Sequence, residues 1–164
     1  MTCLQQWLLR LTLVIAVLLP NSITAADVPN PLPRPDGKPA EQIKPIKVFI
    51  FMGQSNMLGF GRVDSVETKG SLEYMVKEKK KYPQLVDEKG QWTTRNDVRY
   101  VFAMHSRDKM NIVRNEWLKP NKTFGPELGF GHVLGHILDE RVLLLKSCIG
   151  NRSLGWDLLP PGSK

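Results

Sequence analysis

Three short runs, apolar on both faces, constrain this chain more than any other feature. They occupy residues 46–52, 98–104 and 141–148. Each is rich in β-branched, leucine or aromatic residues, and their length suits strands rather than helices. Strands without an alternating polar face suit a parallel sheet covered by helices. Two segments between them read as helices. Residues 72–81 follow a capping Gly70-Ser71 and stop before Pro83, and Glu73 and Lys77 stand at i,i+4 spacing. Residues 127–140 follow Pro126, which a first helical turn tolerates. There Phe130, Val133, Leu134, Ile137 and Leu138 predict one apolar face, with His132 and His136 opposite it and facing solvent. Gly129, Gly131 and Gly135 weaken this helix intrinsically, so packing must hold it. Residues 82–96 read as a loop with a turn at Glu88-Lys89-Gly90, and residues 105–125 as a second, polar loop. The expectation is an α/β fold with a mostly parallel sheet.

The ends of the chain are expected to stand apart from that fold. Arg10 precedes an apolar run that ends at Pro20-Asn21, and small residues follow at Thr24-Ala25-Ala26. Residues 1–26 therefore read as a secretory signal peptide, which predicts a secreted or periplasmic protein. The run is shorter than the ~20 residues a membrane span needs, so no stable span is expected after cleavage. Residues 27–45 hold six of the chain's 12 prolines and read as an extended linker. The folded domain is then residues 46–164.

Charge and cysteine content exclude several classes. The formal charge is +7, and its densest stretch is Lys77-Glu78-Lys79-Lys80-Lys81. That stretch fits the solvated face of a helix, and no nucleic-acid-binding motif accompanies it, so no nucleic-acid partner is expected. Two cysteines, Cys3 and Cys148, make neither a disulfide framework nor a four-ligand zinc site. Cys148 is expected as a small buried hydrophobe.

The chemistry-bearing stretch is Gly53-Gln54-Ser55-Asn56-Met57, where the first apolar run breaks. The carboxyl end of a strand is where an open α/β sheet presents a nucleophile. Two readings of Ser55 stand side by side: a nucleophile beside backbone N–H groups able to hold an oxyanion, or a serine that caps a helical turn.

Gly53-Gln54-Ser55-Asn56-Met57 resembles the nucleophile block of the SGNH hydrolases, and more narrowly of the sialate O-acetylesterase-like branch related to carbohydrate esterase family six. Further stretches resemble the same family in the same order: Gly125-Pro126-Glu127-Leu128-Gly129-Phe130-Gly131, Leu143 to Gly150, and Gly155-Trp156-Asp157-Leu158-Leu159-Pro160-Pro161-Gly162-Ser163. The resemblance implies a three-layer α/β/α, flavodoxin-like sandwich and a cofactor-free, metal-free serine esterase acting on acetylated carbohydrate or another small ester. It implies Ser55 as nucleophile, forming an acyl-enzyme that water hydrolyses. It also implies that Ser55 and Gly150 supply oxyanion N–H groups. Gln54, Asn56, Asn151 and Arg152 are the expected substrate-side residues.

One departure from the family qualifies that expectation. The family's Asp-x-x-His block has no counterpart in this sequence. The chain is therefore expected to represent the amino-terminal part of such a domain, without its general base. A non-catalytic, secreted carbohydrate-binding remnant is the alternative. His105 follows the second apolar run and is a poor substitute base without a placed carboxylate. His132 and His136, four apart, lack a third metal ligand. Met52, Met57, Met104 and Met110 read as packing residues. Asn121-Lys-Thr123 and Asn151-Arg-Ser153 are sequons that matter only in a glycosylating pathway.

Overall fold

The computed structural model describes residues 28–106 and 109–151, with 153, 155, 159 and 162 beyond them. Residues 1–26, expected as a signal peptide, and Arg152 lie outside the described residues.

Among the described residues six strands, three helices and one short 3-10 turn (Pro83–Leu85) occur, the strands and helices in the following order. They are β1 (Lys47–Gly53), α1 (Ser55–Leu58), β2 (Gly61–Arg62), the π-helical α2 (Tyr74–Glu78), β3 (Arg95–Ser106), β4 (Lys109–Leu118), β5 (Thr123–Phe124), α3 (Pro126–Ile137) and β6 (Val142–Cys148). A four-stranded sheet has the order β1-β6-β3-β4, and β2 pairs with β5 apart from it. β6 lies parallel to both β1 and β3, while β4 is antiparallel to β3. The chain is thus mixed α/β with a mostly parallel sheet. The three apolar runs are its three parallel strands.

The register decides which side chains meet. Phe51, Lys146 and Phe102 sit abreast on β1, β6 and β3. Val142, Leu144, Lys146 and Cys148 alternate with more exposed residues on β6, so they share one face. That face carries the core, with Val98, Tyr100, Phe102, Leu118 and Leu128. On the other face of edge strand β1, Val48, Ile50 and Met52 are 51%, 63% and 72% exposed. The described residues therefore cover one face of the sheet at β1.

α3 packs on the sheet through a face shifted from the expected stripe, of which Leu134 is buried and Ile137 and Leu138 pack against the core. Its buried residues are Glu127, Leu128, Gly131, His132 and Leu134, while Phe130 is 46% exposed. The physical reason is glycine. A Cβ on Gly131 would collide with Leu118 and come within 2.9 Å of Leu144, and one on Gly135 would collide with the Arg95 guanidinium. These glycines let the helix backbone approach the sheet, and the apolar stripe rotates aside. Phe130 meets Phe49 and Phe51 edge-on, at 5.9 and 5.3 Å. Arg95 donates to the carbonyls of His132 (3.3 Å) and Gly135 while paired with Asp97. It thereby satisfies carbonyls near the helix end. α3 stops at Ile137, three residues short of the expected end, because Leu138 is extended.

The segment 105–125 is not a loop. β4 and β5 occupy most of it. β4 is an edge strand exposed along most of its length, so it lacks the apolar face that would mark it in the sequence. The helix expected at 72–81 ends at Glu78, where the i→i+5 bond from Lys79 N–H to the Tyr74 carbonyl closes a π turn. The Glu73–Lys77 pair forms at 2.6 Å. The turn at residues 88–90 also forms: Asp87 Oδ1 accepts from the Lys89 and Gln91 N–H groups, both at 2.8 Å. Residues 28–45 contain no helix or strand beyond an isolated bridge from Glu41 to Glu140. Asn96 donates to the Gly37 carbonyl at 2.8 Å and Arg141 to the Lys44 carbonyl at 3.3 Å, so this segment is tied to the amino-terminal ends of the two central strands, β3 and β6. No helix among the described residues is long and apolar enough to cross a membrane.

Candidate active site

The site lies beyond the carboxyl ends of β1 and β6. Gly53 stands opposite Cys148, and the Ile149 N–H donates to the Gly53 carbonyl at 3.3 Å. This pairing carries the chain on both strands to the same edge of the sheet. Ser55 follows two residues after Gly53 and opens α1, and it is half-buried. Gly150 follows two residues after Cys148. A Cβ on Gly150 would lie 3.1 Å from Leu58 Cδ1, so the glycine abuts the far end of α1. Ser55 and Gly150 thus flank one strand junction.

Gln54 governs the state of Ser55. Its Oε1 accepts from the Ser55 N–H at 3.0 Å and from the Ser55 hydroxyl at 2.9 Å. Its backbone carbonyl accepts from the Met57 and Leu58 N–H groups at 2.9 and 3.1 Å. The capping residue of α1 is therefore Gln54, and the reading of Ser55 as the cap is corrected. The Ser55 N–H, expected as a free oxyanion donor, is engaged by the Gln54 side chain. A ligand oxygen using that donor must displace it. Asn56 and Asn151 are exposed, and Asn151 has φ 55°.

Under this turn lies an ion pair that the sequence reading left without a role. Lys146 Nζ donates to Glu127 Oε2 at 2.8 Å and to the Leu58 carbonyl at 2.9 Å. The two side chains are 1% and 4% exposed. Glu127 Oε1 accepts from the Gly125 N–H at 2.9 Å. The rings of Tyr100 and Phe102 lie 5.8 and 5.3 Å from the ammonium, in cation–π range. The sequence signal was available: a lysine at an alternate, core-facing position of an otherwise apolar strand has to find a partner. Burial and the nearby Glu127 carboxylate push the Tyr100 phenol upward, burial most. Burial likewise pushes the Cys148 thiol up.

Neither His132 nor His136 completes a triad with Ser55, and the side chain of His105 lies outside the described residues. His132 is not solvent-facing as expected; it is 1% exposed, and neither ring nitrogen has a hydrogen-bond partner among the described residues. Burial first, and Arg95 second, lower its pKa to about 4. It borders an apolar cleft of about 470 Å³ with Leu72, Met75, Leu85 and Leu128. His136 is exposed, so the i,i+4 pair presents no shared accessible face. Among the described residues no cluster of three metal-ligating side chains occurs. The only hydrogen-bond partner of the Ser55 hydroxyl among them is Gln54.

Comparison with family models, with curated proteins and with solved structures finds no match for this chain.

Proposed function

We propose that this chain carries the nucleophile and part of the oxyanion site of an SGNH-type serine esterase directed at acetylated carbohydrates or other small acetyl esters. In that reading the fold is part of a three-layer sandwich, and the protein acts after export. The reading rests on the resemblance around Ser55. One observation carries it: Ser55 and Gly150 lie just past the ends of two adjacent parallel strands, with Gly150 against the helical turn that Ser55 opens.

Ser55 Oγ would attack the acetyl carbonyl carbon, and the carbonyl oxygen would gain charge facing the Gly150 N–H. Collapse of the tetrahedral species expels the sugar hydroxyl with a proton and leaves Ser55 acetylated. Water then releases acetate. The Ser55 hydroxyl donates its proton in a hydrogen bond to the Gln54 amide oxygen, which is no base, so on attack the proton must pass to solvent or to a base brought to the site. Acylation is therefore slow near neutrality and accelerates as hydroxide rises. Asn56, Asn151 and Arg152 are the substrate-side residues of this reading.

A second reading, an acetyl-sugar binding site without turnover, is favoured by that same Gln54 contact. Incubation with an aryl acetate separates the two. An esterase releases the phenol and accumulates acetyl on Ser55, detected by peptide mass spectrometry, and Ser55→Ala abolishes both. Equal, unlabelled behaviour of the two proteins, with retained affinity for an acetylated sugar, rejects the esterase in favour of binding.

A further inference from the structure

We propose that buried Lys146, with Glu127 as its counter-charge, is a positioning residue that holds the Ser55 turn against the sheet. This deepens the Ser55 reading and rests on it. α1 is only four residues long, too short to stand alone. Its amino end is tied by Gln54, and its carboxyl end, among the described residues, by the side-chain bond from Lys146 Nζ to the Leu58 carbonyl at 2.9 Å. That bond comes from β6, the strand that also delivers Gly150. One lysine therefore joins the turn bearing the nucleophile to the strand bearing the candidate oxyanion donor.

The surroundings are built for the lysine. Glu127 supplies the counter-charge at 2.8 Å, and its other oxygen takes the Gly125 N–H. Gly125 has no room for a side chain: a Cβ there would lie 2.6 Å from Glu127 Oε2 and 3.2 Å from Lys146 Nζ. The same glycine touches Gly59, where a Cβ would lie 2.7 Å from the Gly125 backbone. β6, the start of α3 and the segment after Ser55 converge on one buried ammonium. A well-packed apolar side chain in place of the pair often stabilises a core as well or better. A core-filling role alone thus gives no reason for a lysine aimed at the Leu58 carbonyl.

The test compares Glu127→Gln, Lys146→Met and the double variant with the wild-type full chain. Three readings are taken: the urea midpoint, amide hydrogen exchange over residues 55–59, and the rate of Ser55 acetylation by an aryl acetate. The double variant leaves no unpaired buried charge and keeps an acceptor for Gly125, so it is expected to hold the wild-type midpoint. It loses the Leu58 bond, so exchange over 55–59 accelerates and acetylation slows by about 10²-fold, the scale of a small misplacement of a reacting group. Glu127→Gln alone keeps that bond; it lowers the midpoint yet leaves exchange over 55–59 as in wild type. Lys146→Met alone also loses that bond and speeds exchange over 55–59, so this arm decides the matter if the double variant does not fold. Wild-type exchange and acetylation in the double variant, or disturbed exchange over 55–59 in Glu127→Gln at low urea, overturns the proposal. If the wild-type protein does not acetylate at all, the esterase reading fails, while the exchange comparison still judges the strut.

Discussion

His132 makes stability depend on pH in a calculable way. The residue is 1% exposed, its ring nitrogens have no hydrogen-bond partner among the described residues, and its pKa falls from 6.5 to about 4, chiefly through burial, then through Arg95, with Asp97 opposing. A histidine whose folded pKa lies below its unfolded value binds fewer protons when folded. Its contribution is therefore complete above pH 6.5 and is lost as pH falls from 6.5 towards 4. The 2.5-unit difference between those two values corresponds to about 3 kcal/mol at 1.36 kcal/mol per unit. The steepest part of the loss is ~1.4 kcal/mol per pH unit. Carboxylates titrate over part of this range, so the effect is read as a difference. His132→Leu keeps an apolar side chain against Leu72 and Leu128 and removes the ionisable ring. Urea unfolding of both proteins, at half-unit steps from pH 7.5 to 4, should show the wild type falling behind the variant by about 3 kcal/mol. Parallel curves across that window would refute the assignment of a buried, neutral imidazole.

Three further outcomes follow from close packing. Gly131→Ala gains about 1 kcal/mol of helix propensity but drives a methyl into Leu118; a net loss of roughly 1–2 kcal/mol is expected in urea unfolding, and a stabilised variant would contradict the close approach. Gly59→Ala meets both a φ of 86° and the Gly125 backbone at 2.7 Å, so it should lower the melting temperature and disturb amide signals of residues 55–58; an unchanged spectrum would argue against that contact. Gln54→Ala removes both side-chain bonds to Ser55 at 3.0 and 2.9 Å and should cost about 1 kcal/mol of stability, with faster exchange at the Ser55 amide. An amide protected as in wild type would show that Gln54 does not occupy it.

The site was legible in outline. A strand that breaks at Gly53 with a serine two residues on, and a strand that breaks at Gly150, announce themselves through composition and through the glycines that end them. That the two breaks lie side by side was not legible, because strand order is set by which edges pair. The parallel register of Gly53 with Cys148 is a property of the folded sheet. The same holds for Gln54, whose side chain turns back onto its own neighbour and occupies the donor expected to be free.

Local sequence alone determined the three parallel strands, though not that one face of β1 stays exposed, together with the helix start after Ser71, the turn at residues 88–90 and the existence of α3. Each rests on short-range chemistry: β-branched runs, caps and i,i+4 pairs act within a few residues. Tertiary packing decided which way α3 faces, because glycines at 131 and 135 allow contact closer than the apolar stripe does, and so it decided that His132 is buried. It also paired a strand-borne lysine with a helix-borne glutamate 19 residues apart. Neither residue declares its partner in sequence, since a buried charge selects whichever opposite charge the fold brings within reach.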